Sequence, residues 1–347
     1  MPRQILSIVV LLVQFLWLSA AGAQTRAFVD DAGRTVEVPE RIERVMAAGP
    51  PASVLLYALA PDKMTGWVMK LTDEMRPFIG ERWRDLPVHG RLTGRGGTAN
   101  IEAVLAMKPD LIVDVGSVDA TYASLADRVQ EQTGIPYVLI DGRFARTAEI
   151  LRTFGDLLGE QENADALAAY AEDAMARLDA VAAGVPEENR PRVYYGRGPQ
   201  GLETGLSGSI NIEMLEVAGA VNVAASAGAG GIANVSIEQV LAWNPDVIVA
   251  LDPGFHAAVR TDPMWSQVAA VRNGRVYRVP TLPFGWFDSP PGVNRLMSAW
   301  WLAGVLYPGS ADVDLAAKTR EFYRLFYHVE LGDRQIDTLI DGAQGMK

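Results

Sequence analysis

The chain has no cysteine among its 347 residues. That absence excludes disulfides, thiolate zinc ligands and cysteine nucleophiles together, and leaves no N-terminal cysteine to carry a lipid. Histidine is scarce: His89, His256 and His328 are the only three, and no two share a metal-pair spacing. Positive charge is in deficit, with 31 Lys and Arg against 42 Asp and Glu, a formal net charge of −11. An acidic chain repels phosphate backbones, which argues against a general nucleic-acid partner. No lysine follows a glycine, so there is no P-loop. The stretch GLSGS at 205–209 lacks the last glycine of a serine-hydrolase elbow.

What is present is an ordinary globular composition, 49% apolar and 21% charged, with length enough for two domains. The N-terminus reads as a targeting segment. Arg3 precedes an apolar run over 5–18, interrupted by Ser7 and Gln14, and Ala21-Gly22-Ala23 offers a small-residue cleavage site. The run is too short to span a membrane comfortably. Residues 1–23 are expected to be removed after Ala23, which takes away Arg3 and makes the net charge −11 − 1 = −12. The expectation is a soluble exported protein without a lipid anchor, resident in a periplasm.

One phrase is written twice. IEAVLAMKPDLIV at 101–113 returns as IEQVLAWNPDVIV at 237–249, with nine of thirteen positions identical. Each copy reads as a short helix capped by Asn100 or Ser236, a Pro-Asp turn, and a strand buried on both faces as in a parallel sheet. Around them, 28–38 alternates as a hairpin with Gly33 at its turn, 45–48 and 135–141 read as buried strands, 64–68 as a short strand, and 53–59 and 122–133 as helices. Residues 161–183 keep Ala164, Leu167, Ala171, Ala174, Met175, Leu178 and Val181 on one face of a long helix. After it come a strand from 192, a helix at 212–217, the second copy, a helix around 264–271, a strand at 276–280, and two closing helices at 293–306 and 315–327. Phe322, Phe326 and Tyr327 read as core. The fold class is α/β: two Rossmann-like lobes with mainly parallel sheets, 27–158 and 190–347, bridged by the single long helix 161–183.

With both copies in view, the chain resembles the periplasmic binding proteins of ABC importers for iron chelates, haem and cobalamin. DDAGRTVEVPERIERV resembles the family's opening hairpin, the doubled phrase its paired lobe motif, GSINIEMLEVAGAVNV a second-lobe helix segment and AVRNGRVYRVP its late turn and strand. The resemblance implies a non-enzymatic, monomeric carrier with a ligand cleft between its lobes. It also implies one glutamate per lobe, Glu102 and Glu238, that meets arginines of an ABC permease dimer in the inner membrane. A first-turn glutamate also favours the helix dipole, so docking is not the only role these two can have.

Cleft candidates come from loops at strand ends. GRLTGRGGT at 90–98 sets Arg91 and Arg95 among glycines, where forked donors meet an anion and the backbone can approach closely. Trp67 lies in the first lobe. Tyr195 and Arg197 end the strand from 192, and Trp286 and Phe287 follow 276–280. Trp286 matches a family position where an aromatic lines the ligand. Some relatives ligate iron directly through a histidine ahead of the second glutamate helix and a late-loop tyrosine. Here that segment is AASAGAGGIAN, and the late loop carries Trp286 instead. The expectation is therefore a complete metal chelate such as an iron siderophore, with molybdate or tungstate the alternative, and neither a protein-held metal nor a cofactor. One rival belongs to another class: GRGPQG at 196–201 matches a dinucleotide fingerprint and would suggest an exported enzyme. Pro199 and the loop-like residues that follow count against it.

Overall fold

The computed structural model describes residues 24–94, 97, 99–309 and 313–341. The expected targeting segment and Arg95 lie outside the described residues. Strands β1 (Thr25–Val29) and β2 (Thr35–Pro39) form the opening hairpin. Gly33 takes φ +76° at its turn, which a side chain rarely tolerates. The buried Asp30 carboxylate accepts from the backbone of Ala32 and Arg34 at 3.1 and 2.9 Å.

Three parallel strands follow, β3 (Val45–Ala47), β4 and β5, in the order β3-β4-β5. Helix α1 (Pro50–Leu59) rises from β3 and is buried from Ala52 to Leu59, so it is apolar on every side rather than on one stripe. Helix α2 (Ile101–Met107) leads into β4 (Leu111–Gly116), and α3 (Ala120–Thr133) into β5 (Tyr137–Asp141). Helix α4 (Thr147–Leu158) then packs against α5 (Gln161–Ala183). A side chain on Gly155 would sit 2.2 Å from the Ala164 Cβ, so glycine sets how closely α4 and α5 approach.

Beyond α5 the chain builds a second parallel sheet, order β11-β10-β6-β8. Its parts are β6 (Arg192–Gly196), β7 (Glu203–Gly205), α6 (Glu213–Val217), β8 (Val221–Asn222), β9 (Ile232–Asn234), α7 (Ile237–Trp243), β10 (Val247–Ala250), α8 (Pro253–Ala258), α9 (Ala269–Arg272) and β11 (Val276–Arg278). Strands β7 and β9 pair separately as an antiparallel ribbon. Helices α10 (Leu296–Leu306), α11 (Leu315–Phe326) and α12 (Asp333–Ile340) close the chain.

The mainly parallel α/β architecture and the long helix 161–183 agree with the sequence reading. Phe322, Phe326 and Tyr327 are fully buried, as expected of core. Helices α4 and α12 are not among the expected elements, although Ile150, Leu151, Phe154, Leu157 and Leu158 give α4 a plain helical stripe. The expected helix at 264–271 divides into a 3-10 turn, Trp265–Gln267, and α9, because Val268 is extended between them. The segment at 64–68 makes only single bridges, Val45 with Met64 and Trp67 with Val88. The end of the chain returns to its beginning: the Tyr57 hydroxyl accepts from Gly80 N at 2.7 Å and donates to the Tyr327 carbonyl.

Candidate functional site

The repeated phrase folds the same way twice. Asn100 Oδ1 caps α2 through Ala103 N at 2.9 Å, and Ser236 Oγ caps α7 through Gln239 N at 3.3 Å. Both helices stop on a left-handed residue, Lys108 at φ 47° and Asn244 at φ 41°. The repeat also extends further than the phrase itself. Arg44 Nη2 donates to the Met107 carbonyl at 2.5 Å, and Arg192 Nη2 donates to the matching Trp243 carbonyl at 2.7 Å. The backbone N–H of each arginine returns to the aspartate of the Pro-Asp turn, Arg44 to Asp110 at 2.8 Å and Arg192 to Asp246 at 3.0 Å. Each clasp ties the start of one parallel strand to the helix before its neighbour. Glu102 and Glu238 sit in the first turns of α2 and α7, and both are exposed.

At the carboxyl ends of the strands, the N-terminus of α1 lies between two loops. A Cβ on Gly49 would come within 2.4 Å of Thr93 Oγ1, and one on Gly292 within 3.7 Å of Pro51 Cα. The 90–94 loop thus borders α1 from the first half and the 282–292 loop borders it from the second. Arg91 is half-buried in the former. Thr93 Oγ1 donates to Asp114 Oδ1 at 3.0 Å, which pins that loop to β4.

The aromatic candidates are elsewhere than expected. Trp286, Phe287 and Tyr195 are 0% exposed and Trp67 is 1% exposed, so none offers surface to a cleft. Trp286 Nε1 donates to the Tyr323 hydroxyl at 3.2 Å, and Trp67 packs 5.1 Å from Tyr57 and 6.3 Å from Phe284. The Gly- and Pro-rich surroundings of Trp286 do make a loop. That loop turns its ring inward, because the indole finds both apolar cover and a hydroxyl acceptor there.

Polar groups gather instead around Asp288, itself 1% exposed. Its carboxylate accepts from Tyr195 OH at 3.3 Å, Asn211 Nδ2 at 2.8 Å, Ser289 N at 2.6 Å and Arg197 Nη1. Burial, with Asp288 beside it, pushes the Tyr195 phenol well above its ordinary range. Arg197 Nε is buried and has no hydrogen-bond partner among the described residues. The structure therefore brings Tyr195, Arg197 and Phe287 together, the rings of Tyr195 and Phe287 being 4.5 Å apart, and adds Asn211 and Asp288. Asn211 gave no sequence signal, since an asparagine in a loop is commonplace.

The glycines of GRGPQG have a packing explanation. A side chain on Gly201 would meet the Phe255 ring at 2.4 Å, and Gly198 turns the chain at φ +72°. The stretch runs into strand β7 and not into a helix, so it lacks the helix N-terminus on which a dinucleotide phosphate rests. Among the described residues no group of three His, Cys, Asp or Glu side chains is arranged to hold a metal ion.

A family model described as periplasmic binding protein matches residues 81–282, which include strands of both parallel sheets. The molybdate-binding protein MolA of Haemophilus influenzae is 27% identical over 337 residues, covering 89% of this chain and 93% of its own length. A cobalamin-binding protein of Halobacterium salinarum is 27% identical over 268 residues, 73% of this chain and 67% of that protein. The solved ABC transporter solute binding protein of Sulfurospirillum deleyianum superposes with TM-score 0.83 at 30% identity, over 91% of this chain and 99% of its own. Doubled helix-turn-strand units under two parallel sheets, a continuous family match and that superposition lead to one conclusion: the chain belongs to the periplasmic binding protein family, the solute-binding components of ABC transporters.

Proposed function

We propose that this carrier binds a small tetrahedral oxyanion of the molybdate or tungstate kind and hands it to its permease. In this reading residues 27–158 and 190–347 are the lobes, 161–183 the connecting helix, and the monomeric protein works in the periplasm after cleavage behind Ala23. The supporting observation is Arg197. One edge of its guanidinium is held by Asp288, while the buried Nε–H finds no acceptor among the described residues. An unmet buried donor costs about 1–3 kcal/mol, which an oxyanion oxygen arriving there would relieve. Asn211 shares the Asp288 carboxylate with Arg197, its Nδ2 donating to Oδ1 at 2.8 Å. The enclosure of Trp286, Phe287, Tyr195 and Trp67 counts in the same direction, because a bulky chelate would want those rings as a wall. MolA, similar over 89% of this chain, is named for molybdate.

The metal-chelate reading stays as the second one. It is favoured by the cobalamin-binding relative and by Arg91 in the 90–94 loop beside α1, while the other arginine candidate, Arg95, lies outside the described residues. Thermal-shift and native mass spectrometry separate the two, using molybdate, tungstate, sulfate, a ferric siderophore, haem and cobalamin as probes. A ligand at a hundredfold excess over its Kd stabilises by about 2.7 kcal/mol. Molybdate or tungstate is expected to raise the melting temperature. A rise with a chelate and none with either oxyanion would overturn the ligand reading and spare the transport role. Arg197→Lys keeps the charge facing Asp288 but removes Nε, so it is expected to weaken molybdate binding at least tenfold.

For the partner, we propose docking to the permease through Glu102 and Glu238. They occupy the same place in the two copies of one unit and are exposed in both. Two carboxylates carried on separate sheets fix orientation as well as encounter rate.

A further inference from the structure

A second buried cation feels the charge of Asp288 but spends its hydrogen bonds on other groups. Arg295 is 1% exposed, at the head of α10, whose own residues are almost all apolar and buried. Every nitrogen of its guanidinium is engaged. Nη1 donates to Glu213 Oε2 at 2.7 Å and to the Ile210 carbonyl at 3.4 Å, Nε to the Gly292 carbonyl at 3.3 Å, and Nη2 to the Gly142 carbonyl at 2.6 Å. Gly142 follows β5, on the other side of the long helix in sequence. Glu213 makes the reciprocal crossing: both its oxygens accept from Phe144 N at 3.0 Å. The Arg295 guanidinium also lies 5.7 Å over the Phe144 ring. Pro51, Gly142, Thr147, Gly292, Val293 and Arg295 border a cavity of about 20 Å³ on the same seam.

An ion pair within one half would be satisfied by its own partner. Here each member spends a second set of hydrogen bonds on the backbone of the other half, and the polarity is fixed: the cation meets a carbonyl and the anion meets an N–H. Glu213 also lies two residues from Asn211, which holds Asp288. We propose that Glu213 and Arg295 form a clamp that locks the two halves at one mutual angle and, through Asn211, keeps the ligand-binding groups in register. They are positioning residues. The locking claim stands on the contacts alone, while the register claim rests on the oxyanion reading.

The absence of native cysteine makes the test clean, since two introduced thiols are the only labels. Spin labels at the exposed positions of Arg128→Cys and Met264→Cys report the distance between the halves in the full chain. Wild type is expected to give one narrow distance distribution without molybdate, and Arg295→Met a broad one. Glu213→Gln, which keeps shape and can still hydrogen-bond, covers the case in which Arg295→Met does not fold, and is expected to broaden the distribution as well. Molybdate affinity is expected to fall about tenfold in Glu213→Gln, because a cleft that is no longer preorganised must be ordered on binding. The reversal Glu213→Arg with Arg295→Glu is expected to restore neither quantity, because it puts a carboxylate against the Gly142 carbonyl and a cation against Phe144 N. An unchanged width in Glu213→Gln, or full recovery in the reversal, overturns the clamp. If wild type binds no molybdate but the variants still broaden, the clamp stands and the ligand reading fails.

Discussion

Asp114 shows what a single carboxylate does at the end of a buried strand. It is 4% exposed, and burial pushes its pKa from 3.8 up to about 6, although Thr93 Oγ1, Tyr137 OH and Val115 N all donate to it and work the other way. The folded value lies above the unfolded one, so the folded state binds more protons between them. Its contribution to stability is full below pH 4 and is lost as pH rises towards 6 and just beyond. Two units correspond to about 3 kcal/mol. Asp114→Asn does not titrate, so its unfolding free energy is expected to fall less than that of wild type between pH 4 and 7, by about that amount. Urea denaturation across this range measures the difference, and identical pH profiles would refute the assignment. The same scale shows where sequence runs out. Nothing in LIVDV separates a burdened aspartate from a solvated one, and nothing in FGWFD says that Trp286 turns to Tyr323 and away from the cleft. Gly and Pro mark a loop through backbone dihedrals, which leave the side-chain direction open. Arg295 left a faint trace, as the lone charge at the head of an apolar run.

At the scale of elements, the twice-written phrase was readable because helix caps, Pro-Asp turns and buried strands all have local signatures. Its clasps were not, because Arg44 and Arg192 stand at unequal distances ahead of their copies and meet them only through the parallel pairing of β3 with β4 and β6 with β10. The clasps also differ in strength. Asp110 accepts from both Glu43 N and Arg44 N, at 2.9 and 2.8 Å, whereas from this backbone Asp246 accepts only Arg192 N at 3.0 Å. At about 1 kcal/mol per hydrogen bond, Asp110→Ala is expected to cost about 2 kcal/mol and Asp246→Ala about 1. Chemical denaturation of the two variants orders them, and the opposite ranking would mean that the aspartates act through something other than these bonds. Helix α4 teaches the converse lesson: its stripe was legible, and its packing partner α5 was too, but the Gly155–Ala164 approach that joins them depends on a crossing no periodicity describes.

For the whole molecule, the question is how an acidic carrier presents itself to one receptor. With a net charge of −11, the long-range field alone gives no address. An address needs charges at fixed places, and the fold supplies two: Glu102 and Glu238 each ride on a helix whose far end is clasped to the sheet behind it, Arg44 to Met107 and Arg192 to Trp243. If they served only their own helices, reversing them would lower stability and leave delivery intact. If they are the docking pair, the outcome is the reverse. Glu102→Arg with Glu238→Arg is expected to abolish ligand uptake by cells depending on this carrier, while affinity for the ligand in solution stays within about twofold, because rim charges act on partner encounter and orientation. Each single reversal is expected to leave intermediate uptake. Raising salt in a reconstituted transport assay should weaken wild type more than either single variant, since solvent-exposed charge pairs are screened beyond about 8 Å at physiological ionic strength. Normal uptake by the double reversal, with the protein folded and loaded, would show that the permease reads some other surface, and the two first-turn glutamates would then serve only the dipoles of their own helices.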